Sequence, residues 1–309
     1  MNKTKVTVVG AGFVGAGVAQ RILEKELANV VLVDVVEGMP QGKALDMMES
    51  APIEGFATTI VGSNSYEETK DSDIVVITAG LARKPGMSRD DLQAKNAEIV
   101  GGIVKEVASR SPKAIIIVVT NPLDVMTYLA WKKSGFDHRR IIGMAGVLDS
   151  ARYAYFLALE LKVQPKEVEA VVLGGHGDLM VPAPEFTKVK GKSVTELLPK
   201  EKIEAINQRT RDGGIEIVNL LKMGSAYYAP SSSAVAMVEA ILKDSGRTLP
   251  CCVYLTGEYG IKDTYCGVPA SLGRRGVKKV IELKLSPESH SALRCSAEHV
   301  REQVAKLNL

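Results

Sequence analysis

The sequence predicts an α/β protein, a doubly wound parallel sheet followed by an α+β domain, and three observations support this expectation. A glycine-rich turn separates the first apolar run from the first helical pattern within residues 5–34. Short β-rich runs then alternate with helical stretches to about residue 145, and these runs are apolar on both faces, as strands covered by helices are. After residue 146 the pattern changes to long helices and scattered short strands.

The first strand, residues 6–9, runs into a glycine-rich turn with the spacing GxGxxG. In a dinucleotide-binding Rossmann fold, Gly10 permits the tight turn, Gly12 lets the backbone approach a pyrophosphate, and Gly15 lets the helix pack on the strand. The helix that begins near Val14 offers free N–H groups and the positive end of its dipole to the phosphates. The motif therefore predicts a dinucleotide-binding site at this turn.

The second strand, residues 30–33, ends in Asp34, which lies 19 residues after Gly15. A carboxylate at this position can bind the two hydroxyl groups of a ribose. The same charge repels a 2′-phosphate, and no arginine follows in residues 35–37 to bind one. We therefore expect NAD rather than NADP as the cofactor.

Hydrophobic periodicity places the remaining elements. In the first half, strands are expected at residues 58–61, 74–78, 114–120 and 140–143, and helices at residues 42–49, 92–110 and 123–133. In the second half, strands are expected at residues 168–173, 187–194, 251–255 and 279–282, and helices at residues 148–161, 200–221, 231–243 and 287–307. We therefore assign residues 1–145 to a Rossmann NAD-binding domain and residues 146–309 to a tightly packed α+β substrate-binding and catalytic domain.

The composition indicates a globular protein with a substantial core, since 46% of the 309 residues are hydrophobic and 24% are charged. The net charge of +3 comes from 39 basic and 36 acidic residues, a balance that argues against nucleic acid or an anionic membrane as a partner. We find no signal-peptide pattern and no apolar run of membrane-spanning length. The four cysteines lack metal-ligand spacing, so we expect reduced thiols, no metal and a cytoplasmic location.

Asp149 and Arg152 lie at positions i and i+3, on one face of a predicted helix. If the helix is exposed, the two residues form a surface ion pair of little consequence. If it is buried, an idle charge pair is costly and a function is the better explanation. The positions that favour burial are Ala151, Ala154, Ala158 and Leu161.

Three further features have both a structural and a functional interpretation. His176 is flanked by glycines directly after a β-rich run, where the backbone can approach a ligand, yet a lone histidine is more often structural. Arg83 and Arg89 lie in a polar loop that is either a solvated surface or a lid over an anionic substrate. Asn121 precedes Pro122, and this peptide bond marks a turn that can be cis.

Together these segments resemble the lactate/malate dehydrogenase family, and the resemblance covers essentially the whole chain. The segments that match, all in family order, are GAGFVG with Asp34, ARKPGMSRDD, TNPLD, GVLDSAR and GGHGD. The segment GSAYYAPSSS at residues 224–233 is similar to the malate-specific members that share the lactate dehydrogenase architecture.

The resemblance implies a set of roles that agrees with the chemistry of 2-hydroxy acid oxidation. His176 would be the general base for malate oxidation and the general acid for oxaloacetate reduction, and Asp149 would orient its imidazole. Arg152 would bind the C1 carboxylate, Arg89 would polarise the carbonyl, and Asn121 would hydrogen-bond the substrate. The expected cofactor contacts are Gly10, Gly12, Gly15, Asp34, Asn96 and Asn121.

Arg83 is the expected selector of the substrate. Lactate-type relatives have a neutral glutamine at the matching position, whereas an arginine can neutralise the second carboxylate of malate or oxaloacetate. We therefore expect a malate dehydrogenase, with two alternatives: a lactate or other 2-hydroxy acid dehydrogenase, and a non-catalytic NAD-binding sensor. Ala82 departs from the family pattern, which usually has proline there, and an alanine leaves the lid less stiff.

The resemblance also implies self-association. We expect a homo-oligomer, a tetramer in preference to a dimer, with the helix at residues 42–49 at the contact. The small-molecule partner would be a dicarboxylate, malate or oxaloacetate.

Overall fold

The computed structural model describes residues 4–81 and 87–307, so Ala82 and Arg83 lie outside the described residues. The first half alternates strands and helices, as the sequence predicts. These elements are β1 (Lys5–Val9), α1 (Phe13–Glu24), β2 (Asn29–Val33), α2 (Met39–Glu54), β3 (Ile60–Ser63), β4 (Ile74–Ile77), α3 (Arg89–Arg110), β5 (Ile115–Val118), α4 (Leu123–Ser134) and β6 (Ile141–Gly143).

The second half combines long helices with very short strands and one long antiparallel hairpin. Its elements are α5 (Gly146–Leu161), β7 (Val168–Glu169), β8 (Val172–Leu173), β9 (Val181–Pro182), β10 (Lys188–Val189), β11 (Lys192–Ser193), α6 (Val194–Leu197), α7 (Lys200–Leu221), α8 (Tyr228–Leu242), β12 (Thr248–Thr256), β13 (Lys262–Gly273), β14 (Gly276–Val280) and α9 (Pro287–Ala305).

Within the described residues, one nine-stranded sheet runs through both halves in the order β14-β13-β12-β6-β5-β4-β1-β2-β3. Strands β1 to β6 are mutually parallel, and β1 is flanked by β2 and β4, as in a doubly wound Rossmann sheet. β12 joins antiparallel to β6, where Cys252 lies opposite Gly143. The predicted fold class is confirmed, and the second half extends the sheet of the first.

β13, which the sequence analysis missed, is the main correction. It has 12 residues and pairs with β12 along nearly its whole length. Its sequence, KDTYCGVPASLG, contains two glycines, a proline and several small residues, which weakens any strand pattern. Small residues are needed at Gly267, because a Cβ atom there would lie 2.2 Å from the carbonyl oxygen of Gly174.

Smaller differences also have local causes. The strand expected at residues 168–173 is split into β7 and β8, and the one expected at residues 187–194 is a tight hairpin, β10 and β11, that leads into α6. Lys190 and Gly191 both have positive φ, 51° and 81°, which is the geometry of a two-residue type I′ turn. α2 begins three residues earlier and ends five residues later than expected, between Gly38 and Gly55 in left-handed conformations.

The two halves are joined by more than the shared sheet. α1 packs against α8, and a side chain at Gly17 would collide with the Oγ of Ser231, which lies 2.6 Å from the position of a Cβ atom. The Ser231 hydroxyl donates to the Val14 carbonyl, and Lys25 forms a 2.8 Å ion pair with Glu239. The segment GSAYYAPSSS thus supplies the start of the helix that fixes the glycine-rich turn against the second half.

The core lies on both faces of the sheet and continues under the second half. Most residues of β1, β4 and β5 are fully buried, which explains their unbroken apolar sequences. None of the helices in residues 4–81 and 87–307 is both long and apolar enough to span a membrane.

Candidate active site

The glycine-rich turn has the geometry that a nucleotide-binding loop needs. Gly10 has φ of 104°, and a Cβ atom there would lie 2.6 Å from the backbone nitrogen of Ala79. A Cβ atom on Gly15 would lie 1.8 Å from the carbonyl oxygen of Gly10, so the helix packs directly on the turn. Gly12, by contrast, has open space around the Cβ position and lies at the N-cap of α1. The open side of the loop can therefore accept phosphates.

Asp34 ties the end of β2 to this turn. Its Oδ2 accepts a 2.6 Å hydrogen bond from the N–H of Ala11, and its Oδ1 accepts one of 2.9 Å from the N–H of Val36. The carboxylate is only partly buried and stands beside the loop. Lys43, from α2, donates to the carbonyl of Ala11, so a cation and an anion bind the two backbone groups of the same residue.

The ends of β4 and β5 meet through Asn96 on α3. The side chain of Asn96 is fully buried. Its amide group accepts from the N–H of Leu81 and donates to the carbonyls of Leu81 and Asn121. The side chain thus holds Leu81 and the segment after β5 together; its expected contact with the cofactor stays a prediction. Asn121 itself is exposed, and its bond to Pro122 is cis.

The second half brings His176 against Asp149. The Nδ1 atom of His176 lies 2.9 Å from Oδ2 of Asp149, whose side chain is only 2% exposed. A carboxylate at Nδ1 fixes the tautomer that carries its proton there, which leaves Nε2 to exchange a proton with a ligand. The predicted pairing of these two residues, 27 positions apart in the chain, is present in the structure.

Arg152 completes this cluster from the same helix, α5. Its Nη1 lies 3.5 Å from Oδ1 of Asp149, and its side chain is 13% exposed. The Nε atom is buried and has no hydrogen-bond partner among the described residues. The aliphatic part of the side chain lies over Gly213 of α7, where a Cβ atom would be 3.3 Å from Cδ. This glycine, which the sequence analysis missed, leaves room for the guanidinium.

The inward face of α5 differs from the one expected. Ala158 is buried, but Ala151 is exposed and Ala154 only half-buried. The buried face is formed by Gly146, Leu148, Asp149, Ser150, Tyr153, Leu157 and Ala158. The sequence pattern of small residues was a poor guide because alanine is as common on the outside of helices as inside.

The electrostatics of the cluster favour a charged histidine. Burial lowers the pKa of His176, but the charge and hydrogen bond of Asp149 outweigh it and raise the pKa above its usual value; Asp124 also raises it and Arg152 lowers it. Burial lowers the pKa of Arg152, and Asp149 partly opposes this effect. An arginine nevertheless remains protonated near neutral pH.

Arg89 lies at the start of α3, directly after Ser88, whose side chain caps the helix. Its side chain is 75% exposed and forms a 3.0 Å ion pair with Asp178 of the GGHGD segment. The guanidinium is therefore held next to the histidine loop in solvent. Arg83, the expected substrate selector, lies outside the described residues.

Two further residues contact the histidine loop and were not singled out from the sequence. Asp124 accepts a hydrogen bond from the backbone N–H of His176, and Ser296 accepts one from the N–H of Gly175. Asp124 belongs to the TNPLD segment, so the matched motif was a signal for it. Ser296 lies within α9 and has no distinguishing sequence context.

Metal binding has no support among residues 4–81 and 87–307, where no three histidine, cysteine, aspartate or glutamate side chains are grouped to hold an ion.

Comparison with known proteins agrees with this geometry. The family model of the lactate/malate dehydrogenase NAD binding domain matches residues 4–143, and that of the lactate/malate dehydrogenase alpha/beta C-terminal domain matches residues 146–308. The chain is 59% identical over 305 residues to the malate dehydrogenase of Chloroherpeton thalassium. The aligned region covers 98% of each of the two chains.

Solved structures give the same result. The malate dehydrogenase of Salinibacter ruber is 51% identical and has a TM-score of 0.94, over 98% of this chain and 97% of that chain. A lactate dehydrogenase of Cryptosporidium parvum, complexed with lactic acid and nicotinamide adenine dinucleotide, is 39% identical and has a TM-score of 0.96, over 99% and 98%. The fold alone therefore does not separate the two activities, and the substrate must be argued from side chains.

Proposed function

The chain belongs to the lactate/malate dehydrogenase family, and we propose that it catalyses the reversible NAD-dependent oxidation of (S)-malate to oxaloacetate. The observation that carries the dehydrogenase reaction is the His176–Asp149 pair, in which the Asp149 side chain is 2% and the His176 side chain 17% exposed, with Arg152 beside it. An NAD-binding sensor would need none of these three side chains, and burying the Asp149 carboxylate without a function would be costly. Similarity to malate dehydrogenases over the whole chain supports the same activity.

The glycine-rich turn fits NAD. Gly12 has open space where the pyrophosphate must approach, while Gly10 and Gly15 have none. Asp34 stands at the edge of this space, and its charge favours a ribose diol over a 2′-phosphate. The turn therefore suits the adenosine and pyrophosphate parts of the cofactor.

NAD, when bound, supplies the acceptor for the hydride that leaves C2 of malate. The Nε2 atom of His176 takes the proton of the 2-hydroxyl group, and the oxygen keeps the electron pair that forms the carbonyl. Asp149, which contacts Nδ1, stabilises the resulting imidazolium. In the reverse direction the protonated His176 returns this proton to the oxygen of oxaloacetate.

Arginines would orient the dicarboxylate. Arg152 is suited to the C1 carboxylate, because its planar guanidinium can bind both oxygens at once in a site with little water. Arg89 would leave Asp178 to stabilise the charge that develops on the substrate oxygen, and Asn121 would donate a further hydrogen bond. Arg83 would bind the second carboxylate and exclude pyruvate, which would leave a guanidinium unpaired in a closing site.

A side-by-side rate measurement tests the proposal. Initial rates of NADH oxidation with oxaloacetate and with pyruvate, over a range of concentrations, give kcat/KM for each. We expect oxaloacetate to be preferred by about 1,000-fold or more. Comparable rates, or a preference for pyruvate, would support the lactate alternative, and no rate with either acid despite tight NADH binding would support the sensor.

We further propose that the protein is a homo-oligomer, a tetramer in preference to a dimer, with α2 at a contact. Over the 16 residues of α2, only Pro40 and Ala44 are buried, while Leu45 is 62% and Ile53 is 85% exposed. A second copy is the partner that could cover this face. Sedimentation of the wild type should give a multiple of 33.1 kDa, and a double Leu45→Lys, Ile53→Lys variant should be smaller. A monomeric wild type would refute the proposal.

We also propose a cytoplasmic location. The four cysteines are free thiols, and three of them, Cys251, Cys252 and Cys266, are buried in the sheet. Free thiols in this number suit a reducing compartment. Cell fractionation would test it, and recovery of the protein outside the cytoplasm would contradict it.

A further inference from the structure

Asp124 places a carboxyl group under the backbone of His176. It lies in the first turn of α4 and is only 5% exposed. Its Oδ2 accepts a 2.8 Å hydrogen bond from the N–H of His176. The two residues come from the two halves of the chain, so this bond connects the nucleotide-binding half to the loop that carries the proton-exchanging side chain.

A carboxyl group is an unexpected choice for this position. Its second oxygen, Oδ1, is buried and has no N–H or O–H partner among the described residues. Burial raises the pKa of Asp124, while the thiol of Cys252, the N–H of His176 and the charge of the imidazole oppose that rise. An asparagine could accept the same bond from the N–H without burying an ionisable group. The acid therefore places a charge next to His176 that an asparagine would not.

The backbone N–H group of the preceding residue, Gly175, is held by a side chain that carries no charge. Gly175 donates a 2.8 Å bond to the hydroxyl of Ser296, a neutral side chain from α9. A Cβ atom on Gly175 would lie 3.4 Å from both Ser296 Oγ and Asp124 Oδ2, so the loop is held closely from two sides. The N–H of Gly175 is thus bound by a neutral hydroxyl group, whereas the N–H of His176 is bound by a carboxyl group.

The segment that carries Asp124 also reaches the expected substrate and cofactor contacts. Asn121 lies three residues before Asp124, and its carbonyl accepts from Asn96, which also binds both backbone groups of Leu81. Leu81 is the last described residue before Arg83 in the sequence. Through these contacts, one short segment connects Leu81, the end of β5 and the backbone of His176.

We propose that Asp124 is a positioning residue for the proton transfer, one that fixes the backbone of His176 and adds a second carboxyl group to the His176–Asp149 pair. This inference deepens the proposed function and rests on it. The charged groups that face the imidazole are Asp149 and Arg152 from α5 and Asp124 from α4. Asp149 acts by direct contact, whereas Asp124 acts through the backbone and through its charge.

The test compares Asp124→Asn with Ser296→Ala. The asparagine keeps the size of the side chain and an acceptor for the His176 N–H, but it removes the charge. The pKa of the His176 ring should then fall by about half a unit to one unit, because a nearby negative charge stabilises the imidazolium. Ser296→Ala removes a neutral clamp from the same loop and should leave this pKa unchanged.

Histidine NMR gives the pKa without any assumption about activity. The chain has four histidines, and the signal lost in a His176→Asn variant identifies the relevant ring. An unchanged pKa in Asp124→Asn would overturn the inference even if the enzyme oxidises malate. A lack of malate dehydrogenase activity in the wild type would instead refute the proposed function, and the titration would still decide whether Asp124 acts on His176.

Kinetics provide the second readout. In Asp124→Asn the basic limb of kcat/KM for oxaloacetate should move to lower pH by the same amount as the NMR pKa, with the NADH dissociation constant unchanged. If Asp124→Asn does not fold, Cys252→Ala replaces it: loss of the thiol removes a group that favours the ionised carboxyl, so a smaller shift in the same direction is expected. If the basic limb of kcat/KM stays at the same pH in the variant that folds, the positioning role of Asp124 is contradicted.

Discussion

The His176–Asp149 cluster and Arg89 differ sharply in how closely neighbouring side chains hold them in place. His176 and the buried Asp149 are in hydrogen-bond contact, Arg152 lies beside them on the same helix as Asp149, and Asp124 and Ser296 hold the backbone of the histidine loop. Arg89, in contrast, is 75% exposed and paired with Asp178 in solvent. The proposed proton transfer needs closely fixed distances, which the contacts of the cluster provide, whereas the proposed entry of a substrate needs side chains that can move.

This contrast gives the residues different expected effects. A change in the cluster should alter the chemical step with little effect on the cofactor. A change at Arg83 or Arg89 should alter which keto acid reacts and leave the pKa of His176 unchanged. Variants in each region should therefore have separable effects on activity.

The largest effect is expected at His176. Replacement His176→Asn removes the proton acceptor but keeps a polar side chain of similar size, so turnover should fall by about 100- to 10,000-fold. NADH binding, measured by fluorescence titration, should remain close to that of the wild type because the glycine-rich turn is untouched. A variant that keeps most of its turnover would refute the assignment of His176.

The pH dependence of the wild type should have opposite signs in the two directions. The pKa of His176 is raised above its usual value, chiefly because Asp149 outweighs the effect of burial. Oxaloacetate reduction needs the protonated ring and malate oxidation the neutral ring, so kcat/KM for the keto acid should fall, and that for malate should rise, through the same pKa. Profiles that bend at different pH values, or in the same direction, would contradict a shared histidine.

The smallest effect is expected at the joint between the halves, away from both regions. Lys243 and Lys25 lower the pKa of Glu239 to about 2. A carboxylate with a lowered pKa stabilises the fold above its unfolded pKa, and this contribution disappears as the pH falls towards the folded pKa. Because the side chain is 27% exposed, Glu239→Gln should cost about 1 kcal/mol near neutral pH. The cost should shrink towards about pH 3.5.

Urea unfolding at the two pH values provides the measurement for Glu239. Glu216→Gln is the matched control, since Glu216 pairs with Arg209 within α7, is 37% exposed against 27% for Glu239, and should cost less. Equal costs for Glu239→Gln at both pH values would argue against the ion pairs as their source.

Much of the fold follows from sequence because its signals are local. The parallel strands are apolar on both faces, and the spacing of the glycines from Gly10 to Gly15 is typical of a nucleotide-binding turn. Both features can therefore be predicted from a single sequence. β13 could not be predicted in this way. Its glycines and small residues are required by close contacts with backbone that is distant in sequence, such as that of Gly174. The sequence also gives no sign that the second half would extend the sheet of the first.

The site divides in the same way. His176, Asp149 and Arg152 could be proposed because their motifs resemble a family, and the structure brings them together. Ser296 could not, since a serine within a helix has no pattern of its own, and its function depends entirely on a residue 121 positions away. Contacts at this separation belong to the folded chain and not to a window of sequence.

One variant tests the separation of the two regions most directly. In Arg83→Gln, kcat/KM should be measured with oxaloacetate and with pyruvate across pH, next to the wild type. We expect the preference for oxaloacetate to fall by about 100-fold or more, because the neutral side chain no longer pairs with a second carboxylate. The basic limb, set by His176 and Asp149, should stay in place for both acids. An unchanged preference, or a limb that moves together with the preference, would contradict the account.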